Sequence, residues 1–328
     1  MMDTNAAGVR PSRKAGGAAT LLASALSNQL GAATASFAFP VMGPVGVVAV
    51  RQLVAAAVLL PIVRPRLREL SWRQWWPVLL LAVSFGTMNL GLYASIQRIG
   101  LGLAVTLEFL GPLAVALISS RRRSSALCAV VASIGVLAIT RPEASMDVVG
   151  IGLGLIAACS WAAYILLNRT VGQRVQGIQG TAAATGVSAT LVLPVAVVIF
   201  ISQPVDGLAV LCAVAAGIFA SVLPYVADLI ALRRVPANMF GVLMSINPVF
   251  AAVIGAVILH QDLAAGQWVG IGLIVAANAG VLLLRERGRG ETVVSRTPEP
   301  ARSNHGPGAV MAPGGVVPGD LERRAVPG

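Results

Sequence analysis

Charge is what this sequence has least of. Only 11% of its 328 residues are Asp, Glu, Lys or Arg, against roughly 25% in ordinary soluble domains. Hydrophobic residues make up 56% of the chain, more than a single soluble core of this length can hide. The scarcity excludes a water-soluble globular protein. Histidine is nearly absent, with His260 at a loop edge in His260-Gln261-Asp262 and His305 far downstream. Cys128, Cys159 and Cys212 fall inside apolar stretches at no metal-ligand spacing, which reads as buried structural thiols rather than a disulfide or a metal site. No Gly-rich phosphate loop followed by Lys and Ser or Thr occurs. These absences leave no enzyme signature, no cofactor and no direct use of ATP, and a proton gradient is the expected energy source.

What is present is a series of apolar runs. A bilayer core of about 30 Å needs roughly 17–25 helical residues. Runs of that kind occupy 17–39, 43–63, 75–97, 101–119 and 124–140, then 150–168, 180–202, 207–232, 237–259 and 266–284. They are apolar all round, whereas spanning strands alternate apolar and polar positions. The expected fold class is an all-α membrane protein with ten transmembrane helices. The first run follows a few basic residues, as a signal peptide does, but it is too long for one and reads as an uncleaved helix. Tails at 1–15 and 286–328 flank the runs. The second is rich in Gly, Pro, Arg and Ser without apolar periodicity and is expected to be disordered. Its Arg285, Arg287 and Arg289 either rest on anionic headgroups or are simply solvated.

The net charge of +11 raises the question of nucleic acid. Its distribution answers it. Arg10, Arg13 and Lys14 precede the first run, Arg64, Arg66, Arg68 and Arg73 follow the second, and Arg121, Arg122 and Arg123 follow the fourth. Arg169 and Arg174 follow the sixth, and Arg233 and Arg234 the eighth. The other connections carry only Arg98 and Arg141. This alternation is the positive-inside pattern, which puts both termini in the cytoplasm and makes the number of spans even. No single basic face for nucleic acid is implied.

A weak internal repeat runs through the chain. Shifting by 136 residues places Ser24 over Ser160, Arg98 over Arg234, Pro112 over Pro248 and Ala116 over Ala252, without a gap from Ile99/Val235 through Pro112/Pro248. Five spans per half invert the second half relative to the first, an arrangement that puts a solute site at the midplane between halves. The expected units are 17–140 and 150–285.

Charges inside the membrane are costly and therefore informative. Arg51 lies in the second run, Glu108 in the fourth and Asp228 in the eighth. Pro112 has no N–H for the carbonyl of Glu108 four residues earlier, so the carboxylate sits beside an unpaired acceptor, with Gly111 allowing close approach. That polarity suits a cation, a proton or a solute ammonium. Asp228 follows Pro224 by one turn and either pairs with Arg233 or Arg234 or acts on the solute. Arg51 is a counter-ion to Glu108, a partner for a solute carboxylate, or a donor to backbone carbonyls. Asn28, Gln29, Asn89, Tyr93, Tyr164, Tyr225 and Asn247 add uncharged polarity at matching depths. Singly they read as interhelical hydrogen bonds, and as a set they suit a small zwitterion. Trp72, Trp75 and Trp76 read as interface anchors, whereas Trp161 beside Tyr164 lies deep enough to line a cavity.

The stretch MNLGLYASIQRIGLGLAVTLEFLGPLAVALISSRR from Met88 to Arg122 closely resembles the threonine/homoserine exporter branch of the drug/metabolite transporter superfamily. ACSWAAYIL at 158–166, LPYVADLIAL at 223–232 and FGVLMSINP at 240–248 agree with it. The resemblance spans about residues 17–285. It implies two inverted five-helix EamA repeats and export of small amino acids or metabolites by proton exchange. It also implies cavity or hinge roles for Glu108, Pro112, Asn89, Tyr93, Trp161, Tyr164, Pro224 and Tyr225. Three features depart from the pattern: Asp228 and Asn247 each stand where the branch carries Glu, and ILHQD at 258–262 replaces a GE-type ending. The expected function is secondary export of a threonine- or homoserine-like amino acid, with Gly111, Pro112, Pro224 and Pro248 as hinges. The expected partners are the solute, protons and the bilayer, with no nucleic acid; a homodimer is left open. An EamA-type exporter of drugs or other metabolites stays open as well, as does a non-transporting membrane scaffold or sensor.

Overall fold

The computed structural model describes residues 11–119, 123–139, 147–175, 178–202, 204–224, 226–227 and 243–294, and among these it contains helices and no strand. In chain order they are α1 (Pro11–Ser36), α2 (Phe39–Val63), a 3-10 turn (Leu67–Glu69), α3 (Trp72–Ile99), α4 (Leu101–Glu108), α5 (Leu110–Ile118), α6 (Arg123–Ile139) and α7 (Val148–Arg174). Then come α8 (Gln179–Ser202), α9 (Gly207–Gly217), a π-turn (Ile218–Val222), α10 (Asn247–Ile258) and α11 (Ala265–Val294). Five stretches are long and apolar enough to cross a bilayer: α2, α3, Leu101–Ile118 across α4 and α5, α7 and α8. Ala126–Ile139, Gly207–Val222, Asn247–Ile258 and Ala265–Val281 are apolar but shorter. The eighth and ninth expected runs fall partly on 228–242, outside the described residues.

Helix ends differ from the runs where local chemistry acts. α2 starts at Phe39, four residues before the run at 43–63, and bends at Gly43 (φ 64, ψ 172) ahead of Pro44. Glycine takes that left-handed conformation without a Cβ clash. α3 opens on a capping box between Ser71 and Gln74. α7 opens on Asp147, whose Oδ1 accepts from the Gly150 N–H at 2.8 Å and whose Oδ2 pairs with Arg98 Nε at 2.9 Å. Those contacts tie the end of α3 to the start of α7. α11 continues to Val294, past the expected boundary at 285, because Arg285, Glu286 and Arg287 are good helix formers. The rest of the expected tail, 295–328, lies outside the described residues.

The helices up to Arg289 pack as one compact unit. α3 lies along α7 and α2 along α8, while α4 packs on α7 and α10 and α1 on α9 and α10. The largest apolar cluster draws Val48 from α2, Tyr93 from α3, Ala104 and Val105 from α4, Ala213 and Ala216 from α9 and Ala251 from α10. α6 and α11 close one side through Cys128, Ala132, Ala277 and Val281. The outer faces are apolar too: Ile118 is 85% exposed, Ile201 81% and Leu137 67%. A surface of that kind fits lipid and not water. All three cysteines are free, but only Cys128 is buried. Cys212 is half-buried, and Cys159 is exposed because it falls on a face of α7 turned away from the other helices.

Candidate functional site

The fourth span is broken where the charge sits. α4 stops at Glu108 and α5 starts at Leu110, with Phe109 between them. Pro112 is the cause, since the carbonyl of Glu108 has no N–H four residues on. The Glu108 side chain is 6% exposed, and no hydrogen bond or ion pair engages it among the described residues. Its neighbour Gly111 lies against α7, where a Cβ would collide with the Ala158 carbonyl oxygen. A larger residue there would push the break away from α7.

Arg51 and Tyr93 stand beside this break. The Arg51 guanidinium carbon lies 5.1 Å from the centre of the Tyr93 ring, and the charges of Arg51 and Glu108 both act on that tyrosine. Arg51 also acts on Glu108 electrostatically but lies beyond ion-pair distance. Its hydrogen-bond partners among the described residues are neutral: Nε donates to Ser221 Oγ at 2.9 Å and Nη2 to the Ala220 carbonyl at 2.8 Å. The Tyr93 hydroxyl is near enough to feel the guanidinium, yet it is buried without a hydrogen bond of good geometry. The Phe39 ring meets Tyr93 edge-on at 6.0 Å, and Trp161 meets Phe109 in the same way at 4.8 Å. Arg51, Tyr93 and Glu108 thus form a charged and polar group inside an apolar, aromatic wall.

The second half makes a different use of proline. Pro248 deprives the Met244 carbonyl of its donor, as Pro112 deprives that of Glu108. Asn247 supplies the replacement, donating Nδ2 to the Met244 carbonyl at 2.9 Å. Its Oδ1 accepts from Gln29 Nε2 of α1 at 2.9 Å. The Gln29 Oε1 is buried without a partner among the described residues.

The remaining expected residues are spread out. Asn89 is buried one turn from Tyr93 and donates to the Phe85 carbonyl of its own helix at 2.8 Å. Tyr164 packs with Val78, Leu81 and Ala82 in a separate cluster and lies 6.0 Å from the Phe85 ring. Pro224 follows the π-turn. Tyr225 and Asp228 lie outside the described residues. Reading the sequence missed Ser27, Ser221 and Phe109 as parts of this region. The signal for Ser27 is the proline itself, because Pro224 leaves a carbonyl that a side chain of another helix caps.

Comparison with known proteins places this architecture. Residues 148–283 match the EamA-like transporter family. Over 270 residues the chain is 36% identical to the threonine/homoserine exporter RhtA of Escherichia coli (strain K12), covering 80% of this chain and 90% of that one. The chain belongs to the EamA-like transporter family. Within it the resemblance carried by Met88–Arg122 is borne out, and the chain stands on the RhtA-like branch. RhtA of Salmonella typhimurium (strain LT2) is 35% identical over 274 residues, covering 81% of this chain and 91% of its own. A protein crystal structure 18% identical in sequence covers 82% of this EamA-like chain and 98% of its own, with a TM-score of 0.54. That likeness concerns the fold alone. The EamA-like chain is a multi-pass membrane transporter and not an enzyme.

Proposed function

We propose that this transporter exports a threonine- or homoserine-like amino acid across a bacterial cytoplasmic membrane in exchange for protons. The observation that carries the reading is the 36% identity to a threonine/homoserine exporter along 90% of that protein's length. Glu108 supplies the chemistry. A buried carboxylate without a partner is unstable as a bare charge and needs either a proton or a cation. Alternating between a proton and the solute's ammonium keeps the site neutral in both directions of movement.

The architecture we propose is ten helices in two inverted five-helix repeats, with both termini cytoplasmic. The packing supports it. Let the first five spans be α1, α2, α3, α4–α5 and α6, and the next five α7, α8, α9 with its π-turn, α10 and α11. Exchanging the halves turns α3 on α7 into α9 on α1, α2 on α9 into α8 on α3, and α4 on α7 into α10 on α1, and all of these pairs occur. The pairs α2 on α8 and α4 on α10 map onto themselves. The basic connections support cytoplasmic termini by the positive-inside rule.

The test is a panel of radiolabelled amino acids offered to proteoliposomes with and without a pH gradient. Threonine or homoserine should accumulate when the interior is acid and equilibrate when the gradient is collapsed. Transport of dyes or antimetabolites with no amino acid moved would sink the reading.

A further inference from the structure

Two consecutive carbonyls of the eighth span have no helical partner among the described residues. In the π-turn the Leu223 N–H bonds to the Ile218 carbonyl, so it no longer serves Phe219. In this wider register the next donor for Phe219 is residue 224, a proline without an N–H. The α-helical donor for Ala220 is the same proline, and residue 225, its donor in the wider register, lies outside the described residues. Inside a bilayer, unpaired backbone carbonyls must find other donors. Two helices provide them. Ser27 Oγ of α1 donates to the Phe219 carbonyl at 2.8 Å, and Arg51 Nη2 of α2 donates to the Ala220 carbonyl at 2.8 Å. Gly31 permits this closeness, because a Cβ there would stand 2.6 Å from the Ala220 nitrogen.

For Arg51 the arrangement is weakly bonded. A guanidinium has five N–H donors in a planar fork, and the well-formed hydrogen bonds of this one among the described residues go to a carbonyl and the Ser221 hydroxyl, with Nη1 in neither. A carboxylate in their place would accept two parallel bonds in the matching fork geometry and add the attraction of a full opposite charge, which neither the carbonyl nor the hydroxyl supplies. The Tyr93 ring lies under the guanidinium at 5.1 Å, and its buried hydroxyl has no hydrogen bond of good geometry among the described residues. A carboxylate arriving at Arg51 would give that hydroxyl an acceptor as well.

We propose that Arg51 is a carboxylate-sensing latch: the solute's α-carboxylate displaces the Ala220 carbonyl and Ser221 hydroxyl from the guanidinium, releasing the π-turn that Pro224 leaves open. The inference rests on the amino-acid reading above and deepens it. The solute needs an ammonium for Glu108 and also a carboxylate for Arg51, and binding of the carboxylate is what loosens the eighth span.

Threonine and threoninamide test it, since they share side chain and ammonium and differ in the carboxylate. Binding of each to the purified full chain is measured by calorimetry, and amide hydrogen exchange is followed across 217–224. The wild type should prefer threonine by about tenfold or more, a gap equivalent to one strong hydrogen-bonded charge contact. Arg51→Gln keeps an amide N–H to cap the Ala220 carbonyl but loses the charge, so the preference should fall to within about twofold. Threonine should speed exchange in the π-turn of the wild type, and threoninamide should not. The exchange measurement needs no variant, so it decides even if Arg51→Gln does not fold. A variant that keeps the preference, or a π-turn whose exchange threonine leaves unchanged, overturns the latch. Equal affinity of the wild type for both ligands overturns the latch and leaves the export reading standing, whereas binding of neither overturns both.

Discussion

Pro112 and Pro248, which the 136-residue shift superimposes, each remove a helix donor, the first beside Glu108 and the second beside Asn247. The Glu108 carbonyl is left without its helical donor, beside a carboxylate that is itself unpaired among the described residues. The Met244 carbonyl is capped by Asn247, and Asn247 is held by Gln29. The first place is therefore chemically open and the second closed. Asn247→Ala should strip both the Met244 carbonyl and the Gln29 amide of their partners. A loss of about 1–2 kcal/mol is expected for orphaned buried groups, tempered by the modest worth of hydrogen bonds between membrane helices. Unfolding in mixed micelles measures it, and an unchanged midpoint would show that Asn247 holds nothing. At this scale Glu108 was legible in the sequence, because a lone charge in an apolar run is expensive wherever it points. The partners of Arg51 were not. Ser221 is 170 residues away, and nothing in one helix tells which neighbour will cap a carbonyl that a proline in another leaves bare.

Helices register these residues as breaks. Pro112→Ala restores an N–H to the Glu108 carbonyl and lets α4 and α5 join. The joined helix should resist unfolding better, by up to about 3 kcal/mol, and turn over more slowly because the flexing point is gone. Thermal melts and initial export rates check the two halves of that expectation, and faster export from the variant would refute it. The α3–α7 junction offers a pH test outside the membrane-spanning stretches. The Gly150 N–H beside Asp147, and after it the Arg98 guanidinium, hold the Asp147 carboxyl below the usual carboxylate range. A depressed folded value stabilises above the unfolded value, about 3.9, and that contribution fades as pH falls through the folded value. Asp147→Asn should melt below the wild type at neutral pH by a constant margin down to about pH 4, with the two curves converging in stronger acid. Equal melting temperatures at pH 7 would dismiss the cap. The apolar runs foretold most helices to within a few residues, since length and apolarity are what a bilayer selects. They missed the bend at Gly43 and the π-turn at Ile218–Val222, which depend on one residue's dihedral and on proline register rather than on hydropathy.

Across the whole molecule, membrane class was evident from scarce charge and ten apolar runs, and the five clear spans agree with it. The 136-residue register hinted at two halves, and the symmetric list of packed pairs gives the hint its best support. Arg51 as counter-ion to Glu108 was one of three readings open in the sequence, with Tyr93 expected in the same cavity, but the geometry that groups them arises from three helices meeting and not from any one motif. Central to the account is one carboxylate that exchanges a proton for the solute's ammonium. Threonine accumulation in inverted membrane vesicles, wild type against Glu108→Gln, with the interior held acid or at the pH outside, tests this most directly. An acid interior should drive accumulation in the wild type, and the variant should show at least a tenfold lower rate with no response to the gradient. A Glu108→Gln variant that accumulates threonine at the wild-type rate and with the wild-type pH dependence would contradict it.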